Sequence, residues 1–147
     1  MKVDVLTETV IQRPRHDVAS YAMDPGHAPA WYENIRSVQW QTVPPLEVGS
    51  RLVFVARFLG RDLVYTYEIA ELVADERLVM RTSAGPFPME TTYEFESLGP
   101  HATRVRLRNR GTPAGFAVLF APFMALAIRR ANRKDLLHLK GILERPR

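Results

Sequence analysis

Val3, Val5, Thr7, Thr9 and Ile11 alternate with Lys2, Asp4 and Glu8, a period of two that predicts a half-buried strand over residues 2–12. Pro14 then sits where a helix can begin, and Val18, Ala19, Tyr21, Ala22 and Met23 follow at helical spacing until Asp24, Pro25 and Gly26 stop it. Residues 27–34 hold a second helical turn or two and lead into a strand over 35–43, ended by Pro44 and Pro45. The alternation returns at 51–58 and 63–72. With Gly60 and Arg61 as the two central residues of a hairpin, Phe58 falls opposite Leu63, Ala56 opposite Tyr65, Phe54 opposite Tyr67 and Leu52 opposite Ile69, one aromatic wall.

Three more strands are predicted at 77–83, 87–97 and 103–110. Phe87, Met89, Thr91, Tyr93 and Phe95 share one face of the second, and Val105, Leu107 and Asn109 one face of the third. Their other faces are charged and complementary: an even register pairs Glu96 with Arg104, Glu94 with Arg106 and Glu90 with Arg110. From Pro113 to Glu144 only Gly115 and Pro122 interrupt a helical pattern, so a kink or a fresh helix start is expected near 122. Beyond it Ile128, Ala131, Asp135, Leu136, Leu139, Ile142 and Leu143 share roughly one side, an amphipathic helix. Strands closed by one long terminal helix make an α+β fold.

Composition narrows the class. The 147 residues are 46% hydrophobic and 24% charged, values that suit one globular domain spanning 1–147 and exclude overall disorder. With zero Cys there is no disulfide, thiolate metal site or Cys nucleophile. The charged, strand-like start does not read as a secretory signal, so the cytoplasm is the expected compartment. The longest uncharged apolar run, 116–128, is broken by Pro122 and falls short of the ~20 residues needed to span a bilayer. Charge is uneven: 9 Lys/Arg against 14 Asp/Glu up to residue 100, then 11 against 2. The Glu–Arg strand pairs cancel much of this basic excess locally, which argues against a nucleic-acid partner. The four His lack metal-ligand spacing, and no GxSxG, Walker or GxGxxG pattern occurs, so neither metal nor cofactor is expected.

The chain resembles the polyketide cyclase/dehydrase branch of the START-like, or Bet v 1-like (SRPBCC), superfamily. The residues that carry the likeness are the opening strand ending in Pro14, the Asp24-Pro25 stop followed by Pro29 and Trp31, the stretch Tyr67-Glu68-Ile69-Ala70-Glu71, and the closing run from Asp135 to Glu144. These are fold markers and none is a catalytic motif. The resemblance implies a helix-grip fold: a curved antiparallel sheet of six or seven strands, two short helices, and a long C-terminal helix over a ligand cavity.

On that expectation the aromatic wall lines a cavity; without it, the same residues fill a core. The candidate ligand-binding residues are Phe54, Phe58, Tyr65, Tyr67, Met89, Tyr93 and Asn109 on the strands, with Trp31 at the mouth and Phe120, Phe123 and Met124 as cover. The expected ligand is small and largely apolar, polyketide-like or lipid. Two alternatives stay open: a cyclase or dehydratase using a cavity Tyr or Asn109 as acid/base partner, and a lipid carrier that touches a membrane surface through 116–128 and the Arg129, Arg130, Arg133, Lys134 cluster. A homodimer contact on the same apolar segment is a further option.

Overall fold

The computed structural model describes residues 3–58, 60–85, 88–113, 119 and 121–145, the side chain of Phe58 excepted. The period-two opening forms β1 (Val3–Ile11), which buries Val3, Val5, Thr7 and Ile11 and turns Asp4, Leu6 and Glu8 to water. α1 (Arg15–Ala22) starts directly after Pro14. The Asp24 carboxylate then accepts the Gly26 N–H at 2.9 Å, capping a 3-10 turn (Pro25–His27) that runs into α2 (Ala28–Trp31). Six strands follow: β2 (Ile35–Trp40), β3 (Arg51–Phe58), β4 (Arg61–Val73), β5 (Arg77–Ala84), β6 (Met89–Ser97) and β7 (Thr103–Gly111). The chain closes with α3 (Ala121–Leu143), which places Pro122 in its first turn, where a missing N–H costs no helical bond.

All seven strands form one antiparallel sheet in the order β1-β7-β6-β5-β4-β3-β2. Strands adjacent in sequence pair as hairpins from β2 to β7, and β1 pairs with β7 at the far edge. α1 and α2 therefore carry the chain from one edge to the other, and α3 returns along β1. Register shifts in β2–β3 and β4–β5 introduce the irregularities that bend a sheet. The architecture is helix-grip-like α+β.

The Glu–Arg expectation for β6 and β7 holds pair by pair, Glu90 with Arg110, Glu94 with Arg106 and Glu96 with Arg104. β1 adds a second set of partners, with Asp4 on Arg108 at 2.6 Å and Glu8 on Arg106 at 3.2 Å. The basic face of β7 is thus neutralised from both sides.

The β3–β4 hairpin corrects the expected register. Phe58 pairs with Arg61, Ala56 with Leu63, Phe54 with Tyr65 and Leu52 with Tyr67, two residues from the expected partners. Gly60 occupies the second central position of the turn with φ +78°. A slip of two leaves every side chain on its original face, so the apolar alternation cannot discriminate between the two registers. The outer face can: the observed register sets Arg57 opposite Asp62, with an ion pair of 3.9 Å, and Arg51 opposite Glu68.

The main core joins α1, α2 and the second half of α3 to the sheet, around Val18, Trp31, Leu52, Ile69, Leu136 and Leu139. A second, smaller cluster packs Val3 and Val5 against Ala121, with Ala125 and Ile128 at its margin. Among the described residues, no helix is long and apolar enough to cross a membrane.

Candidate functional site

Between these two clusters the inward stripe of α3 carries Ala131, Asn132 and Asp135, short or polar side chains where Leu136, Leu139 and Leu143 fill the next turns. Opposite them the sheet and helix flank a partly open cavity of about 150 Å³. A space of that order, ~150 Å³, admits a single aromatic ring. Its apolar surface comes from Ile35, Phe54, Ala56, Met80, Met89 and Ile128. Strands β2 to β7 all contribute, as a sheet wrapped around its helix requires. A larger hollow along Arg13, His16, Asp17 and Arg145 is an open surface groove with charged walls.

Polar groups enter this apolar space at three places. On the β4 side, Tyr65 and Tyr67 lie with ring centroids 6.0 Å apart, and Tyr67 stands edge-on to Phe54 at 5.4 Å. Burial pushes the Tyr67 phenol up to about 12, opposed by the Thr91 hydroxyl beside it. At the β6–β7 end, Thr91 donates to the Asn109 side-chain oxygen at 2.7 Å, a pair that is fully buried. At the helix end, the hydroxyls of Tyr32 and Tyr93 hydrogen-bond to each other. Burial drives both phenols well above their ordinary value, so they remain neutral donors and acceptors throughout the physiological range.

Two residues of α3 complete the helix end. Asp135 is 2% exposed, and its Oδ1 accepts the Glu33 N–H at 2.9 Å, tying the loop after α2 to the helix. Burial raises this carboxyl to about 7; the Glu33 N–H and the neighbouring His138 pull the other way. Asn132 is 4% exposed, and its Nδ2 has no hydrogen-bond partner among the described residues. The site therefore offers neutral phenols, a carboxyl poised between its two forms, and an unpaired amide donor. Among the described residues no group of three or more His, Asp or Glu is placed to hold a metal.

Of the residues singled out from the sequence, Phe54, Tyr65, Tyr67, Met89, Tyr93 and Asn109 line this cavity. Trp31 stands behind the wall: it is 1% exposed, packed at 4.1 Å from the Tyr32 ring and 5.8 Å from that of Tyr93, and anchors α2 in the core. Phe123 is 70% exposed and, like half-buried Met124, lies outside the lining. The side chain of Phe58 and the whole of Phe120 lie outside the described residues. Sequence reasoning missed Met80, Thr91, Asn132 and Asp135. The signal for the last two was present, since both interrupt the apolar stripe of an amphipathic helix with groups that have to be buried.

Comparison with known proteins bears on the fold and the family. No curated protein matches the chain. Solved structures do. A protein of Thermus thermophilus superposes with a TM-score of 0.81 at 22% identity, over 95% of this chain and 96% of that one. The Zhui aromatase/cyclase of Streptomyces sp. R1128 gives 0.81 at 14% identity, over 97% and 93%. A START superfamily protein of Mycobacterium smegmatis gives 0.80 at 14%, over 96% and 97%. At such identities the likeness is one of fold. The family model described as "Polyketide cyclase / dehydrase and lipid transport" matches residues 2–144, nearly the full length, and the chain belongs to that family.

Proposed function

We propose that the protein binds a small, largely apolar molecule, of the size of one aromatic ring or slightly larger, in the cavity between the sheet and α3. The observation that carries this reading is the unfilled, partly open space of about 150 Å³ between the sheet and α3, lined mostly by apolar side chains. Cores pack to the density of organic crystals, and an apolar void forfeits stability. A chain that places Ala131, Asn132 and Asp135 where three larger apolar residues would close the gap forgoes that stability for space. Membership of a family described by cyclase, dehydrase and lipid-transport activities supports the same reading.

Titration with indane, a compact neutral hydrocarbon, tests it by amide NMR. Saturable shifts at Thr91 and Ala131 are expected, and Ala131→Phe, which fills the space, should abolish them. Unchanged spectra at millimolar indane would remove the proposal.

One observation favours a second reading, a cyclase or dehydratase. Asp135 has a carboxyl raised to about 7 beside the Tyr32–Tyr93 hydroxyl pair, a combination suited to moving a proton to or from a bound carbonyl compound. Asp135→Asn should then abolish turnover of a polyketide-like substrate while leaving its affinity intact. Equal turnover by the variant would leave passive binding as the function.

A further inference from the structure

Among the described residues, Asn132 is the one lining the cavity that holds a fully buried side-chain polar atom without a hydrogen-bond partner. Thr91 donates to the Asn109 side-chain oxygen, the Tyr32 and Tyr93 hydroxyls hydrogen-bond to each other, and Asp135 accepts the Glu33 N–H. The Asn132 Nδ2 is buried with no such partner. Buried amide donors are almost always paired, because an unmade hydrogen bond forfeits hydration and regains nothing. The residue that carries this donor lines an apolar space large enough for a ring.

The charge of the surroundings narrows what such a donor can meet. Among the described residues, no Lys, Arg or His lines the cavity, so a carboxylate or phosphate would be buried without a counter-ion. Asp135 faces the same space and would repel an anion further. The acceptor that fits is an oxygen without charge.

We propose that Asn132 is the specificity-determining residue of the cavity, donating from Nδ2 to an uncharged acceptor oxygen, typified by a ring ketone, on a ligand whose remainder is apolar. This inference rests on the cavity being a binding site.

Four probes of one shape separate the terms: indane, 1-indanone, indane-1-carboxylate and 1-aminoindane, titrated at neutral pH by NMR or calorimetry against the wild type, Asn132→Leu and Asn132→Ala. One neutral hydrogen bond predicts that 1-indanone binds the wild type about 3- to 10-fold more tightly than indane. The carboxylate should bind weakest. In both variants the ketone preference should fall to about unity while indane affinity is kept or improved. Amide spectra that superpose on the wild type away from α3 certify each fold, and the Ala variant serves where Leu distorts the helix. A ketone preference that survives both substitutions overturns the assignment to Asn132. So does tighter binding of the ammonium probe, which would make Asp135 the selecting group, or of the carboxylate. Failure of all four probes, indane included, sinks the binding reading itself and this inference with it.

Discussion

Asp135→Asn isolates the cost of one buried carboxyl. In the folded chain this group titrates at about 7, against an ordinary value of 3.8, because burial disfavours its charged form. Between those two pH values the folded protein holds a proton that the unfolded chain has released. Stability therefore falls as pH rises through that window and levels off above 7. At about 1.4 kcal/mol per pH unit, the gap between 3.8 and ~7 amounts to roughly 4 kcal/mol. Asn preserves the oxygen that accepts the Glu33 N–H and mimics the neutral acid at every pH. The variant should match the wild type near pH 4 and exceed it by up to ~4 kcal/mol at pH 8, on the order of 10 °C in Tm for a domain of this size. Tyr32 and Tyr93 stay neutral throughout this range and leave the difference untouched. Urea melts of both proteins at half-unit steps from pH 4 to 8 measure it. A constant difference across that range, or a variant that loses stability above pH 7, would refute the account of Asp135 as a desolvated acid.

Tyr93→Phe leaves the Tyr32 hydroxyl without its partner in a buried setting and should cost about 1–2 kcal/mol in denaturant melts. The double variant with Tyr32→Phe should cost less than the sum of the single changes, and strict additivity would show that the hydroxyls do not interact. A Cβ added at Gly85 would stand 2.6 Å from the Tyr65 ring, so Gly85→Ala should displace that ring from the cavity wall, visible as shifts in the Tyr65 ring resonances. Combining it with Tyr65→Ala removes the clash, and ring resonances that ignore Gly85→Ala would contradict the packing. Phe123 is 70% exposed, so Phe123→Ser should alter stability by no more than ~0.5 kcal/mol. A loss above that range would place Phe123 in a contact that this description of α3 lacks.

The sheet was legible where two independent patterns agreed. β6 and β7 carry an apolar face and a charged face of opposite sign, and their pairing Glu90–Arg110, Glu94–Arg106 and Glu96–Arg104 follows from both together. For β3 and β4 the register rests on the turn, with Gly60 read as its first central residue where it is the second, and the resulting slip of two residues is invisible to the apolar alternation. The pairing of β1 with β7 is non-local, separated by some hundred residues, and no local pattern encodes it. Fold-marker residues placed the chain in its family, yet the cavity could be foreseen only in part. Aromatic strand positions such as Tyr65, Tyr67 and Tyr93 identify an inner face, and a packed core would display the same residues.

What separates a cavity from a core in this chain is written on the helix. A stripe that reads Leu136, Leu139, Leu143 fills the space beneath it, and the main core lies there. One turn earlier the same stripe reads Ala131, Asn132, Asp135, and at that level the sheet's aromatic side chains meet open space. The two polar residues do more than fail to fill. Each carries a burial cost that an Ala would avoid, so their presence is explained only by what they face. Asp135 has a structural partner in the Glu33 N–H; Asn132 has none among the described residues. On the proposed reading, the C-terminal turns of α3 serve the core, where Leu136, Leu139 and Leu143 pack, and the central turns serve the ligand. It follows that substitutions at Leu136 or Leu139 should act on folding first, whereas those at Ala131 and Asn132 should act on occupancy, and that the two sets can be varied independently.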